Sequence, residues 1–182
     1  MTFDEYDEKA KVTAIYPKAS DWPPIYPILG LCGEVGELAG QVGVSSTELV
    51  LLECGDVLWY LSAFVRDLGS SLKEVARCES FAGLGAATDH GTWAPPNYAV
   101  LGLVFEVGSI AEKTKKILRD HAGVLHPDQR TDLLLACRHV LRQLSMCARH
   151  FNSSLDYVAE KNIAKLADRA ARGKLGGSGD KR

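Results

Sequence analysis

Residues 29–39, LGLCGEVGELA, decide the fold because the chain contains this stretch twice. LGLVFEVGSIA at 101–111 matches it at 7 of 11 positions, and its apolar residues recur every three or four positions, as in an amphipathic helix. A second pair, VLWYLSAFVRDLGSSLKEVA at 57–76 and VLRQLSMCARHFNSSLDYVA at 140–159, matches at 10 of 20 positions. Helical periodicity alone does not require shared glycines and a shared Ser-Ser-Leu in the same order. The pattern therefore indicates an internal duplication.

The same periodicity runs through most of the chain, and no alternating β-branched segments interrupt it, so we expect an all-α protein. Helices are predicted from Thr2 to before Pro17 and over 28–41, 47–67 and 71–81, with a Gly- and Pro-rich linker over 83–96. Two similar units that cannot bury their apolar faces alone should pack about a pseudo-twofold axis. We expect repeats at 1–84 and 85–182 that form one compact helical bundle.

Composition excludes several classes of function. The chain has 182 residues and a net charge of −2, which argues against a general nucleic-acid or membrane binder with a broad basic surface. The N-terminus lacks a signal-peptide pattern and no apolar run approaches a membrane span, so a cytoplasmic location is expected. The five cysteines form no C-x-x-C pair and the histidines have no zinc-ligand spacing. We expect the cysteines to be small buried side chains.

Four carboxylates are the candidate site. Glu34 and Glu37 are three positions apart on one predicted helix, and Glu53 and Asp56 are three apart on the next. Residues at this spacing share a helical face, and both pairs border an apolar stripe, so packing the stripes should bring all four acids together. Close anions repel strongly unless cations lie between them, and oxygen ligands favour Mg²⁺. Exposed or salt-bridged acids are the alternative interpretation.

In this context the acids resemble those of the MazG-like family. The arrangement E34-x-x-E37 followed by E53-x-x-D56 and VLWYL is similar to these all-α nucleoside triphosphate pyrophosphohydrolases, and the resemblance extends over nearly the whole chain. It implies that the four acids bind Mg²⁺, for which Mn²⁺ can substitute. It also implies cleavage of a nucleoside triphosphate to the monophosphate and pyrophosphate. One of the glutamates, Glu37 or Glu53, would act as general base toward water attacking the α-phosphorus.

The second repeat departs from this pattern. It keeps Glu106 in the place of Glu34, but Ser109, Ala136 and His139 replace the other three acids. It carries instead the basic part of the family's pattern, which the first repeat lacks. We therefore expect the halves to divide one site, with the second half holding the triphosphate through Lys115, Lys116, Arg119, Asn162, Lys165 and Arg169. A solvated helix face is the alternative interpretation of the lysine-rich run.

The nucleobase needs a stacking surface. Trp59 and Tyr60 lie one turn beyond Asp56 and are the first candidates, with Trp22 and Tyr26 second, although core packing is the more common role of such residues. A rival hypothesis is a catalytically inactive remnant that binds a nucleotide or a partner. The sequence leaves open the preferred base and sugar, the number of metal ions, and whether the protein is a monomeric pseudo-dimer or a homodimer.

Overall fold

The computed structural model describes residues 1–16, 24–87 and 96–176. Within these ranges the chain forms eight helices and no strand, which confirms the all-α prediction. The helices are α1 (Phe3–Val12), α2 (Ile25–Gln41), α3 (Thr47–Asp67), α4 (Leu72–Ala76), α5 (Phe81–Ala87), α6 (Pro96–His121), α7 (Pro127–His150) and α8 (Leu155–Ala171). None of these helices is both long and apolar enough to cross a membrane.

The four long helices of the two proposed repeats pack on one another. Helix α2 packs on α3, and α6 packs on α7. Helix α2 also contacts α6, and α3 contacts α7, so these two helices of the first half each touch the helix that aligns with them in the second half. One apolar core runs through this arrangement and includes Leu31, Leu58, Leu103 and Leu144, all fully buried. Three of the five cysteines, Cys54, Cys137 and Cys147, are buried as expected, and the other two are partly buried.

Helix α3 lies at the centre of the bundle. It contacts α1, α2, α4, α7 and α8, and 12 of its 21 residues are buried. Apolar side chains make up most of this set, but it also contains the carboxylate of Glu53. A helix that is packed against neighbours on most sides has only a narrow exposed face, so an ionisable residue outside that face is buried. The central position of α3 therefore explains why part of the acidic site is shielded from water.

Several helix ends agree with the sequence. Thr2 caps α1 and forms the expected reciprocal bonds with Glu5, and α3 has the predicted bounds. Gly69 follows α3 with a φ of +72°, a conformation that favours glycine. Helix α2 begins three residues before the predicted start at residue 28 and includes Pro27 in its first turn. Proline is tolerated there because the first N–H groups of a helix have no partner within it.

The predicted helix over 71–81 is wrong, as is part of the predicted linker. Helix α4 ends at Ala76, because Arg77 adopts a left-handed conformation with a φ of 57°. Ser71 caps the helix, but the Glu74 carboxylate accepts a bond from the Ser70 hydroxyl instead of closing a capping box. Helix α5 (Phe81–Ala87) occupies the first residues of the expected linker. Its first residue, Phe81, packs on Phe3 with ring centroids 4.3 Å apart, and this contact holds the helix against α1. The linker residues 88–95 lie outside the described residues.

Gly30 and Gly102 align with each other in the two matching stretches of sequence, and in the structure a side chain lies over each of them. A Cβ atom on Gly30 would lie 2.0 Å from the Tyr60 ring, and a Cβ on Gly102 would lie 2.7 Å from the end of Gln143. Tyr60 and Gln143 are themselves equivalent in the alignment of the repeats. Helices α2 and α3 therefore approach closely at Gly30, and α6 and α7 approach closely at Gly102. The side chain over Gly30 is the rigid ring of Tyr60, whereas the one over Gly102 is the flexible amide of Gln143.

We expect Gly30→Ala to destabilise the protein and Gly102→Ala to have little effect. The new methyl group at residue 30 must displace an aromatic ring, and overpacking of this kind costs about 1–3 kcal/mol. At residue 102 the end of Gln143 can move aside, and alanine gains about 1 kcal/mol of helix propensity. Urea denaturation would measure both variants, with Gly108→Ala as a control in open space. Equal losses at Gly30 and Gly102 would contradict the prediction.

Candidate metal centre

Three of the four predicted carboxylates meet between α2 and α3. Each of Glu34, Glu37 and Glu53 offers an oxygen, and these oxygens all lie within 4.8 Å of one another. Glu53 is only 4% exposed, Glu34 is partly buried and Glu37 is exposed. The cluster thus opens to solvent on the α2 side and is closed on the α3 side. Oxygens at such distances can share one hard divalent cation.

Asp56 lies beside this cluster and has partners of its own. Its carboxylate accepts a hydrogen bond from Lys165 Nζ at 2.5 Å and another from Asn162 Nδ2 at 3.2 Å. Both donors belong to α8, in the second half of the chain. The Asp56 and Lys165 side chains are only 14% and 15% exposed, so this ion pair is largely shielded from water. Asp56 as a fourth metal ligand stays a prediction.

The acids perturb one another electrostatically. Burial and the charges of Asp56, Glu37 and Glu53 raise the pKa of Glu34 to about 8, while Lys165 acts in the opposite direction. At neutral pH the protein without metal therefore keeps a proton on Glu34. A divalent cation between the oxygens would replace this proton. The cluster thus carries excess negative charge, which a bound proton or a metal ion can neutralise.

The position of Asn162 depends on two residues that the sequence did not indicate. The Tyr6 hydroxyl donates to Asn162 Oδ1 at 2.9 Å, which turns the amide nitrogen toward Asp56. A Cβ on Gly55 would lie 3.0 Å from Asn162 Cβ, so glycine permits the close approach of α3 and α8. The glycine between the two acids of ECGD was a usable signal for Gly55. Tyr6 had none, because it lies 156 residues from Asn162 in the chain.

The other predicted cations are placed differently. Arg169 is 5% exposed and lies one helical turn beyond Lys165. Lys115 and Lys116 are exposed and pair with Glu112 on their own helix, and Arg119 pairs with the adjacent Asp120 at 2.6 Å. The structure therefore brings α8 residues to the acids, whereas these α6 cations are paired locally. Their role in holding a triphosphate stays a prediction.

The two predicted aromatic residues also differ. Trp59 Nε1 donates to Thr13 Oγ1 at 3.0 Å and to the Ala10 carbonyl at 3.3 Å, which ties the indole to the end of α1. Tyr60 covers Gly30. Burial, its bond to Tyr26 and the charges of Glu34 and Asp56 all raise the pKa of Tyr60. The nucleobase-binding role of Trp59 and Tyr60 stays a prediction, and Trp22 lies outside the described residues.

The stretches of the second half that align with the acidic motifs contain one acid instead of four. His139 Nδ1 lies 3.4 Å from Glu106 Oε1, so the counterparts of Asp56 and Glu34 form a pair of their own. Ser109 and Ala136 occupy the two remaining positions. Within the described ranges, the group formed by Glu34, Glu37 and Glu53 is the one set of three or more potential ligands that lies close enough to hold a metal ion.

We expect the stabilisation by Mg²⁺ to grow as pH rises from 6.5 to 8.5. The raised pKa of about 8 means that folded Glu34 binds a proton between pH 4.5 and 8 that the unfolded chain releases. The metal-free protein therefore loses stability as pH rises through this window. Mg²⁺ competes with the proton and so binds more tightly at high pH. Melting temperatures with and without Mg²⁺ at each pH would test this, and a pH-independent shift would contradict it.

The fold and the site define the chain as an all-α protein with one carboxylate cluster suited to a hard divalent cation. No model of a known protein family matches it, and no solved structure does either. The chain is 41% identical over 86 residues to Gene 37 protein of Mycobacterium phage L5, across 47% of this chain and 75% of the phage protein. It therefore belongs to the same family as this phage protein, whose name states no activity.

Proposed function

We propose that the protein is a Mg²⁺-dependent nucleoside triphosphate pyrophosphohydrolase. The observation that carries the proposal is the group of three carboxylates on α2 and α3, next to the Asp56–Lys165 pair. A cluster of mutually repelling carboxylates destabilises a protein unless a cation lies between them. Nucleoside triphosphates are bound in proteins together with Mg²⁺, which would supply such a cation. The resemblance of the acidic motifs to MazG-like enzymes supports the same reaction, cleavage to the monophosphate and pyrophosphate.

The donor set fits Mg²⁺. All three close ligands are carboxylate oxygens, which this hard cation prefers to nitrogen or sulphur. The raised pKa of Glu34 indicates uncompensated negative charge at the same place. Mn²⁺ accepts the same ligands and should substitute. When bound, Mg²⁺ would neutralise phosphate oxygens and lower the pKa of a water molecule.

The chain's own residues would then perform three tasks. Glu34, Glu37 and Glu53 hold the cation, and Glu37 or Glu53 also accepts the proton of the attacking water. Lys165, whose Nζ lies 2.5 Å from the Asp56 carboxylate, supplies positive charge beside the acids for a substrate phosphate. Tyr60, which is half-buried above Gly30, provides an aromatic face beside the cluster for the nucleobase.

The proposal includes the internal duplication. The counterpart helices touch, and the equivalent glycines Gly30 and Gly102 lie under equivalent residues. A site that takes acids from one half and Asn162 and Lys165 from the other would need only one complete copy after gene fusion. This division explains why Glu106 and His139 have come to pair with each other instead.

Product analysis tests the proposal directly. The protein is incubated with Mg²⁺ and each common ribo- and deoxyribonucleoside triphosphate, including dUTP, and the products are separated by ion-exchange chromatography. We expect monophosphate and pyrophosphate. Diphosphate with orthophosphate, or no turnover of any triphosphate, would contradict the enzyme hypothesis. The loss of three acids from the second half favours the inactive nucleotide-binding remnant as the second candidate, which predicts a nucleotide-dependent thermal shift without product.

A further inference from the structure

A polar cavity lies away from the carboxylates, between the end of α3, helix α4 and helix α7. It has a volume of about 330 Å³, at the lower end of the range for small-molecule pockets. Three arginines line it, Arg77, Arg130 and Arg138, and Glu74 is the one acid in its lining. We call it the arginine pocket. In a protein whose net charge is −2, this is a local concentration of positive charge.

One guanidinium in the pocket, that of Arg138, has a buried nitrogen without a partner in the described part of the chain, and a second, that of Arg77, is exposed to solvent. The Nε atom of Arg138 is buried and has no hydrogen-bond partner among the described residues. Arg77 forms no ion pair with a described acid, and its backbone adopts a left-handed conformation that glycine would adopt more easily. A buried guanidinium nitrogen without an acceptor is costly. The arrangement is therefore poorly explained as a structural feature of the protein alone.

The third arginine is held rigidly at the edge of the pocket. Arg130 donates from Nε to the Leu68 carbonyl and from Nη2 to the Gly69 carbonyl, each at 2.7 Å, and so satisfies the C-terminal end of α3. The two hydroxyl groups in the lining are already used as donors, Ser70 to Glu74 and Thr131 to the Pro127 carbonyl. A ligand in this pocket would therefore find guanidinium donors and one partly satisfied acid.

We propose that the arginine pocket binds a small phosphate-bearing anion. Guanidinium groups bind phosphate oxygens through paired, charge-assisted hydrogen bonds, and several around one cavity match the multiple oxygens and high charge of a phosphate or pyrophosphate group. Inorganic phosphate and pyrophosphate are small enough for a cavity of about 330 Å³. The pocket uses none of the carboxylate ligands, so this site is independent of the proposed metal centre.

Isothermal titration calorimetry with pyrophosphate tests the proposal. The full chain is titrated in EDTA at constant ionic strength, which removes divalent cations from the carboxylates. We expect saturable binding to the wild type and at least about tenfold weaker binding to Arg138→Gln and to Arg77→Gly. Glycine suits the left-handed backbone at residue 77, so the second variant should fold. Arg172→Gln, which removes an exposed charge at the end of α8, should bind like the wild type.

Three results of the pyrophosphate titrations would overturn the proposal. One is the absence of saturable pyrophosphate binding to the wild type. Another is unchanged affinity in both pocket variants, and a third is an equal loss in Arg172→Gln, which would indicate a general charge effect. A parallel titration with succinate distinguishes phosphate from carboxylate ligands. Succinate that binds as tightly as pyrophosphate would exclude the phosphate class.

Discussion

Glu53→Gln is expected to abolish triphosphate hydrolysis while leaving the helical bundle folded. Glutamine keeps the size of the side chain but removes the charge and the ability to accept a proton as a base. Glu53 is 4% exposed and its oxygen lies within 4.8 Å of those of Glu34 and Glu37. Loss of a general base lowers rates by about 10²–10⁴-fold, and loss of a metal ligand lowers them further because the cation is held less well. The expected turnover is therefore at least about a hundredfold below that of the wild type.

Glu48→Gln is the matched control. Glu48 lies in the first turn of the same helix and is exposed, so its loss removes one carboxylate without touching the cluster. Steady-state kinetics with the preferred triphosphate would compare the two variants, and circular dichroism would confirm that both are folded. Turnover of Glu53→Gln within a fewfold of Glu48→Gln would mean that the carboxylate cluster is not the catalytic centre.

The acidic cluster could be predicted from sequence because its geometry is mostly local. Spacings of three residues place Glu34 with Glu37 on one face of α2, and the buried Leu31, Val35 and Leu38 show which side of the helix packs. Only the pairing of α2 with α3 had to be assumed. The same spacing groups Asp56 with the other acids; in the structure its carboxylate accepts bonds from Lys165 and Asn162, and its role as a metal ligand stays a prediction. The residues that surround an acid from distant parts of the chain cannot be inferred from helical periodicity.

Contacts between residues in different halves of the chain could not be predicted from helical periodicity. Lys165 lies 109 residues from Asp56, and its place in the site was indicated by a family resemblance and not by spacing. The α6 cations looked equally suitable, but a charge run has the same pattern whether it faces a ligand or water. The break after α4 was missed for a related reason. Arg77 carries no sequence signal for a left-handed turn, and α5 forms where Phe81 can pack on Phe3 and Tyr6.

Lys165→Met is expected to weaken both the fold and the activity. The substitution keeps the aliphatic length of the side chain but removes the ammonium group 2.5 Å from the Asp56 carboxylate. Both side chains are about 15% exposed, so Asp56 would lose a partner in a mostly buried place. Removing one member of a buried pair costs about 3–5 kcal/mol, and with the partial exposure we expect about 2–3 kcal/mol near neutral pH. Chemical denaturation of the metal-free protein would measure this loss.

Lys161→Met provides the control on the same helix. Lys161 is exposed one turn earlier, with its Nζ 5.3 Å from the centre of the Tyr157 ring, and its loss should cost less than about 1 kcal/mol. The Asp56→Asn and Lys165→Met double mutant should recover part of the cost, since neither charge then lacks the other. Turnover should fall at least about tenfold in Lys165→Met and stay unchanged in Lys161→Met. If the two methionine variants behave alike, α8 does not complete the site. The proposed division of one active site between two halves would then be wrong, even if the acids alone bind magnesium.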